Sequence, residues 1–312
     1  MRVVRSPPVT ADERLDDGLA DLLARCTFPP AGAPLVCGVS GGADSLALLV
    51  LAAAAGCQVT AVHVDHGLRR GSADEAAVVA RAAGRVGASF RSVRVALSDG
   101  PNLEARARAA RQTALGPGAA TGHTADDQAE TVLGNLLRGA GVHGLAGMRA
   151  GTAHPILGLR RAETVALCAR LGLEVVSDPS NADPRFVRNR IRAELLPLCA
   201  DIAGRDIVPV LARQASLLAG DADLLDSVAG QLDPTDAAAL AAAPRAQARR
   251  AVRGWLTAGG AYPPPAGAVD RVLEVARLER LATEVPGGVR VTRSGGRLTL
   301  APVGGGDAPV QS

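Results

Sequence analysis

The stretch CGVSGGADSLALL, residues 37 to 49, constrains this chain more than any other. The apolar approach Pro34, Leu35, Val36 and Cys37 has the length of a short buried strand, and the Leu- and Ala-rich run 45–55 has the length of a helix. Between them stand Ser40, Gly41, Gly42, Ala43, Asp44 and Ser45. Adjacent glycines let a turn take positive φ and bring backbone close to a ligand. A helix start presents unpaired N–H groups at the positive end of its dipole. Strand, glycine turn and helix in that order predict an anion site, and the commonest anion at such a site is phosphate.

The same alternation continues along the chain. Strand-like runs at 35–39, 59–64, 90–95 and 119–122 alternate with helical stretches near 45–55, 74–87, 102–115 and 125–138. This predicts an α/β fold with a parallel sheet and ligands bound outside the carboxyl ends of its strands. After about residue 200 the pattern changes to helices and then a hairpin in GGVRVTRSGGRLTLA. The chain is therefore expected to hold a nucleotide-binding domain over 1–200 and a smaller, mainly helical domain over 201–312. Ser294, Gly295 and Gly296 repeat the letters Ser-Gly-Gly, but they lie between two strand-like runs and no helix follows; they predict a hairpin turn. Residues 1–10 and the tail VGGGDAPVQS are expected to be disordered.

Composition excludes some classes. Of the 312 residues 47% are hydrophobic and 21% charged, the balance of an ordinary globular protein. The longest apolar run, 46–55, is too short to span a bilayer and the N-terminus shows no apolar leader core, so a cytoplasmic protein with no membrane partner is expected. The five cysteines, Cys26, Cys37, Cys57, Cys168 and Cys199, form no C-x-x-C pair and read as reduced thiols. Net charge is +3, and the excess lies before residue 200, where 22 Arg face 19 acids against 12 and 12 beyond it. All 34 basic residues are Arg, so any phosphate clamp here is guanidinium or backbone.

Four further stretches carry candidate chemistry. His63 and Asp65 share a face at the end of the second strand, with His66 just past it; at that spacing they make a poor metal set. Glu104, Arg108 and Arg111 share a helix face, which on spacing alone reads equally as a solvated salt-bridged surface. His123 precedes a helix carrying Asp126, Asp127 and Glu130. Acids in a first turn ordinarily complement the dipole, but beside a histidine at the ligand end of a sheet they also suit a cation, and an amine is one. Arg185, Arg188, Arg190 and Arg192 fall within eight residues around Phe186, an arrangement suited to gripping unpaired nucleotides.

SGGADS lacks the spacing and the lysine of a Walker A loop. It resembles the S-G-G-x-D-S loop of the PP-loop pyrophosphatases, which split ATP between its α- and β-phosphates to adenylate a substrate. Taken in order, SGGADS, HVDHGLR, LEARARAAR, GHTADDQAET, RGAGVHGLAGM and DPSNADPRFVRNRIRAELLP resemble the tRNA(Ile)-lysidine synthase family over residues 34–200. The remainder resembles its shorter two-domain form in size and helical pattern.

The resemblance implies an ATP-dependent ligase. It would adenylate the wobble cytidine of isoleucine tRNA with a CAU anticodon, then join that base to the ε-amine of free L-lysine, releasing AMP and pyrophosphate. Ser40, Gly41, Gly42, Ala43 and Ser45 would hold the pyrophosphate, with Asp44 binding Mg²⁺ or orienting the loop, and His63 and Asp65 would lie beside the adenosine. Asp127 and Glu130 would recognise lysine, and His123 would assist proton transfer. Arg108, Arg111 and Arg190 would neutralise phosphate, and Arg185, Phe186, Arg188 and Arg192 would meet the tRNA. The chain departs from the family pattern at Gln112, where an aromatic is common, at Asn135, where Arg is common, and at His154, where the sequence RPLL commonly begins. A PP-loop tRNA thiolase would share the loop but needs a sulfur-carrying cysteine or cluster. A tRNA-binding module without catalysis would need neither the loop nor the acids.

Overall fold

The computed structural model describes residues 17–65, 72–95, 103–177, 183–258 and 264–303. His66, residues 1–10 and all of the expected disordered tail except Val303 lie outside them, as do the side chains of Glu104 and Arg108. Two compact units divide at Ala219 and Gly220.

The first unit begins with α1 (Asp17–Leu23), β1 (Pro34–Gly38), α2 (Ala43–Ala54), β2 (Gln58–Asp65), α3 (Ser72–Arg85), β3 (Ser89–Arg94), α4 (Leu103–Leu115), β4 (Ala120–Thr121) and α5 (Ala125–Leu137). The strands form one parallel sheet in the order β3-β2-β1-β4. The chain winds outward from β1 to β3 and then crosses back to lay β4 on the other side of β1. That reversal opens a crevice beyond the carboxyl ends of β1 and β4. The glycine turn after β1 and the segment holding His123 after β4 both enter it.

The core explains why α2 reads as apolar all round. Leu46, Leu48, Leu49 and Leu51 are fully buried, because α2 packs against β1 and β2 on one side and α7 (Arg161–Arg170) on the other. Each buried leucine contributes about 1.5–3 kcal/mol of transfer free energy. A short helix, α6 (Val142–Leu145), precedes α7.

Beyond α7 the chain forms one irregular helix: α8 (Val187–Arg190), a π turn (Ile191–Leu195) and α9 (Leu196–Ala203). Pro197 supplies no N–H to close the ordinary bond four residues back, and the Leu196 N–H instead reaches the Ile191 carbonyl five back. Ile191 and Leu196 join Ala129, Leu133 and Val208 in a small core under α5. This packing carries the first unit past residue 200 into α10 (Val208–Gly230).

The second unit contains α11 (Ala237–Ala242), α12 (Arg245–Thr257), α13 (Ala266–Ala276) and an antiparallel sheet of β5 (Ala282–Val285), β6 (Val289–Ser294) and β7 (Arg297–Pro302). Asp236 caps α11 by accepting from the N–H groups of Ala238 and Ala239. Gly295 and Gly296, at φ +55° and +78°, make the hairpin turn between β6 and β7. Strand β5 has no counterpart in the sequence reading, since four residues give too short an alternation to register.

Candidate functional site

The turn after β1 is built as a cradle. Gly41 has φ +89°, and a Cβ there would come within 2.7 Å of Val176. Ser45 is buried; its hydroxyl donates to the Gly42 carbonyl at 2.9 Å and accepts from the Ser40 N–H at 3.1 Å. Gly42 caps α2 with no side chain over the helix end. Gly122, at the end of β4, lies so close that a Cβ would meet the Asp44 carbonyl oxygen at 2.6 Å. Glycine at 122 therefore brings the two crevice segments into backbone contact. His63 lies beside the cradle, its Nδ1 3.1 Å from the Val39 carbonyl oxygen; that contact puts the proton on Nδ1. Its buried Nε2 has no hydrogen-bond partner among the described residues. Asp65 faces Arg94 at 4.0 Å.

Helix α5 brings the acids to the same place. Thr124 caps it, with its N–H and hydroxyl both donating to Asp127 Oδ2, at 2.8 and 3.0 Å. Asp127 Oδ1 accepts from Arg161 and from Arg188, each at 2.7 Å. Glu130, whose side chain is 0% exposed, accepts Arg161 at 3.0 Å and Arg192 at 2.7 Å on Oε1, then Arg188 at 2.7 Å and Arg192 at 3.0 Å on Oε2. Two carboxylate oxygens offer about four acceptor positions. Asp127 and Glu130 are both saturated.

Arg161 joins this acid pair to the cradle. Its Nε lies 3.3 Å from Asp44 Oδ2, while its other two nitrogens hold Asp127 and Glu130. The other Asp44 oxygen accepts the Thr164 hydroxyl. Asp126 accepts from Arg160 Nε at 3.1 Å and from the Arg161 N–H at 2.8 Å, which fixes the start of α7. A cavity of about 210 Å³ opens beside this centre, lined by Asp126, Glu130, Arg161 and Arg192 and by the apolar Leu196 and Val208.

Protonation follows these contacts. Burial alone would raise the Asp127 and Glu130 carboxyls, but Arg161, Arg188 and the Thr124 N–H outweigh it at Asp127, and Arg192, Arg188 and Arg161 do so at Glu130, holding both below the usual range. Asp126 is likewise lowered, by Arg160 and the Arg161 N–H against its burial. Asp44 goes the other way: burial raises it, and Thr164 and Arg161 only partly offset the effect. His123 is pushed down to about 4 by burial, with His154, Arg188 and Arg111 adding to the shift and Asp127 opposing it.

The sequence leaves Asp44 two roles, a magnesium contact or the group that orients the loop. Both of its oxygens are engaged by donors of α7, and no group of three or more His, Cys, Asp or Glu among the described residues is placed to hold a metal. This donor set does not fit a metal held by the protein.

The remaining expected residues fall in two groups. Arg188 and Arg192 lie on the acids, whereas Arg185 pairs with Asp183 at 2.6 Å and Arg190 with Glu194 at 2.8 Å, both on the surface beside half-exposed Phe186. Arg111 is exposed on α4 with Gln112 beside it. Asn135 donates to the Gly144 carbonyl at 2.5 Å, tying α5 to α6. Arg160, Arg161, Thr164 and Thr121 were not singled out by the sequence. One signal was available: three carboxylates converging on one sheet edge require cations, and this chain has only arginine to supply them.

The PP-loop domain model matches residues 16–199, and the TilS substrate-binding domain model matches residues 236–299. The tRNA(Ile)-lysidine synthase of Nocardia farcinica is 43% identical over 300 residues, covering 87% of this chain and 93% of its own length. That of Salinispora tropica is 42% identical, covering 94% and 96%. The chain belongs to the tRNA(Ile)-lysidine synthase family. Among solved structures, the U34-tRNA thiolase NcsA from Methanococcus maripaludis with its [4Fe-4S] cluster superposes with a TM-score of 0.53 at 16% identity, over 70% of this chain and 87% of that one. That likeness establishes a shared fold. As a lysidine synthase family member, the chain is a PP-loop enzyme that uses ATP, and the crevice between β1 and β4 is where its cradle stands.

Proposed function

We propose that this crevice adenylates the 2-position oxygen of the wobble cytidine of isoleucine tRNA with a CAU anticodon, releasing pyrophosphate, and that the ε-amine of free L-lysine then attacks the carbon bearing that oxygen and displaces AMP. The observation that carries the reading is Arg161, which binds the cradle carboxylate Asp44 and the acid pair Asp127 and Glu130 at once. A single guanidinium thus links the groups assigned to the first step with those assigned to the second.

Ser40, Gly41, Gly42, Ala43 and Ser45 receive the pyrophosphate, Asp44 orients their loop through α7, and His63 and Asp65 lie toward the adenosine. Magnesium accompanies ATP on its phosphates. Because Asp127 and Glu130 carry their full complement of donors, a lysine ammonium reaches them only by displacing one. Arg188, at 43% the most exposed of the three guanidiniums, is the one that yields. Lysine recognition is then an exchange of cations, and the freed Arg188 turns to phosphate. The cavity beside Glu130 takes the aliphatic stem. His123, held neutral by its surroundings, accepts the proton that the ammonium must lose before it attacks. Arg108, Arg111, Arg185, Phe186 and Arg190 serve the tRNA backbone and bases, while Arg192 stays on Glu130 rather than meeting the tRNA.

The test separates the two steps. With ATP and tRNA but no lysine, the chain should release pyrophosphate and accumulate adenylated tRNA. Asp127→Asn should slow the lysine step far more than the first. Equal loss of both steps would assign Asp127 to holding the fold instead.

A further inference from the structure

The histidine at the proposed proton-transfer position is not alone. His123 Nδ1 lies 2.8 Å from the Thr121 hydroxyl, His154 Nδ1 lies 3.0 Å from the same hydroxyl, and the two Nδ1 atoms are 3.3 Å apart. The rings meet edge to face with centroids 5.0 Å apart. The Thr121 hydroxyl also lies 3.3 Å from the Ala153 carbonyl oxygen, and the Thr121 N–H donates to that carbonyl at 3.0 Å. The pairing is therefore fixed by backbone on both sides, by β4 and by the loop carrying His154.

Hydrogen bookkeeping within this triangle is restrictive. A neutral imidazole has one N–H and one lone pair, and a hydroxyl has one proton. When one Nδ1 donates to the Thr121 oxygen and the hydroxyl proton points to the other Nδ1, the three groups form a chain along which a proton passes without any heavy atom moving. The Nε2 atoms remain outside the triangle as the entry and exit.

We propose that His154 is a positioning residue for lysine transfer, forming with Thr121 a relay that sets the tautomer of His123 and drains its proton. This rests on the assignment of His123 above. The balance is as follows. An ammonium N–H bond of lysine breaks and an N–H bond forms at His123 Nε2. His123 Nδ1 gives its proton to the Thr121 oxygen, the hydroxyl proton passes to His154 Nδ1, and His154 Nε2 releases a proton to water. Both rings end neutral. The titratable and charged groups facing His123 are Asp127 on α5, Arg188 on α8, Arg111 on α4 and His154; Asp127 has both oxygens filled by Thr124, Arg161 and Arg188, and His154 is the one joined to His123 through the Thr121 hydroxyl.

The test uses the whole chain, whose five histidines are few enough to follow individually by NMR. Ring resonances of His123 and His154 are titrated in the wild type, in His154→Gln and in Thr121→Val, alongside the pH profile of lysine transfer from preformed adenylated tRNA. In the wild type the two rings should titrate as a linked pair with shared, biphasic curves. His154→Gln removes a neighbour that pushes His123 down, so His123 should titrate singly at higher pH, and the acid limb of lysine transfer should move up with it. Thr121→Val should uncouple the two curves while both histidines remain. An unchanged His123 midpoint in folded His154→Gln, or independent curves in the wild type, overturns the proposal. The titration needs no turnover: a linked pair in a chain that transfers no lysine would leave the relay standing and refute the function assigned to the site.

Discussion

Arg161 is the residue on which the site turns. Its Nε and its two terminal nitrogens serve three different carboxylates, a geometry that follows from the planar fork of guanidinium and that an ammonium does not reproduce. Arg161→Lys should therefore keep the charge yet lose both pyrophosphate release and lysine transfer, measured separately. Arg161→Met should also cost about 3–5 kcal/mol in a urea titration, because it leaves buried Glu130 and Asp127 each short of a partner. The same centre sets the response to acid. Asp126, Asp127 and Glu130 have folded values below their unfolded ones, so the unfolded chain binds more protons and stability falls as pH drops through the carboxylate range. Lowered His123 acts with the same sign, between its ordinary value near 6.5 and about 4. Raised Asp44 opposes them. The midpoint of urea unfolding should accordingly decline slightly below about pH 6.5 and steeply below about pH 4. A midpoint that rises on acidification would contradict the ion-pair assignment.

At the scale of elements, most of the first unit was legible because its signals are local. The glycine turn, the apolar run of α2 and the Thr-x-x-Asp start of α5 each lie within a few consecutive residues. The acid–arginine centre was not legible, because α2, α5, α7 and α8 meet there only in three dimensions. The arginine run at 185–192 was visible as charge, and the four-residue spacing of Arg188 and Arg192 puts them on one helix face with Arg190 turned away from it; what the spacing does not show is that this face meets the acids while Arg185 and Arg190 stay on the surface. The π turn follows Arg190 and carries Arg192 toward Glu130, and Pro197 is its physical origin. Pro197→Ala restores the missing N–H, so helicity by circular dichroism should rise while the register of Arg188 and Arg192 against Glu130 is lost and lysine transfer falls. In the second unit, Leu278 follows α13 with φ +66° and is 71% exposed, a left-handed position that suits glycine. Leu278→Gly should stabilise by about 0.5–1 kcal/mol, read from the thermal midpoint.

For the whole molecule, the surplus of arginine before residue 200 suits a polyanionic partner. Among the described residues Arg185, 85% exposed, and Arg190 hold surface ion pairs, which are worth little and are readily exchanged for phosphate. Replacing both with Ala should flatten the salt dependence of tRNA binding by roughly one unit per lost contact, whereas Phe186→Ala should weaken binding without changing the slope. The central claim is that one crevice couples ATP cleavage to joining an amine onto tRNA. Its most direct test is the reaction itself, with labelled lysine, ATP and a transcript of isoleucine tRNA bearing a CAU anticodon, read as lysine bound and pyrophosphate released. The account predicts equimolar amounts of the two, dependent on ATP and absent with a tRNA of another anticodon. Pyrophosphate released without lysine entering the RNA, or sulfur incorporated in its place, would contradict it.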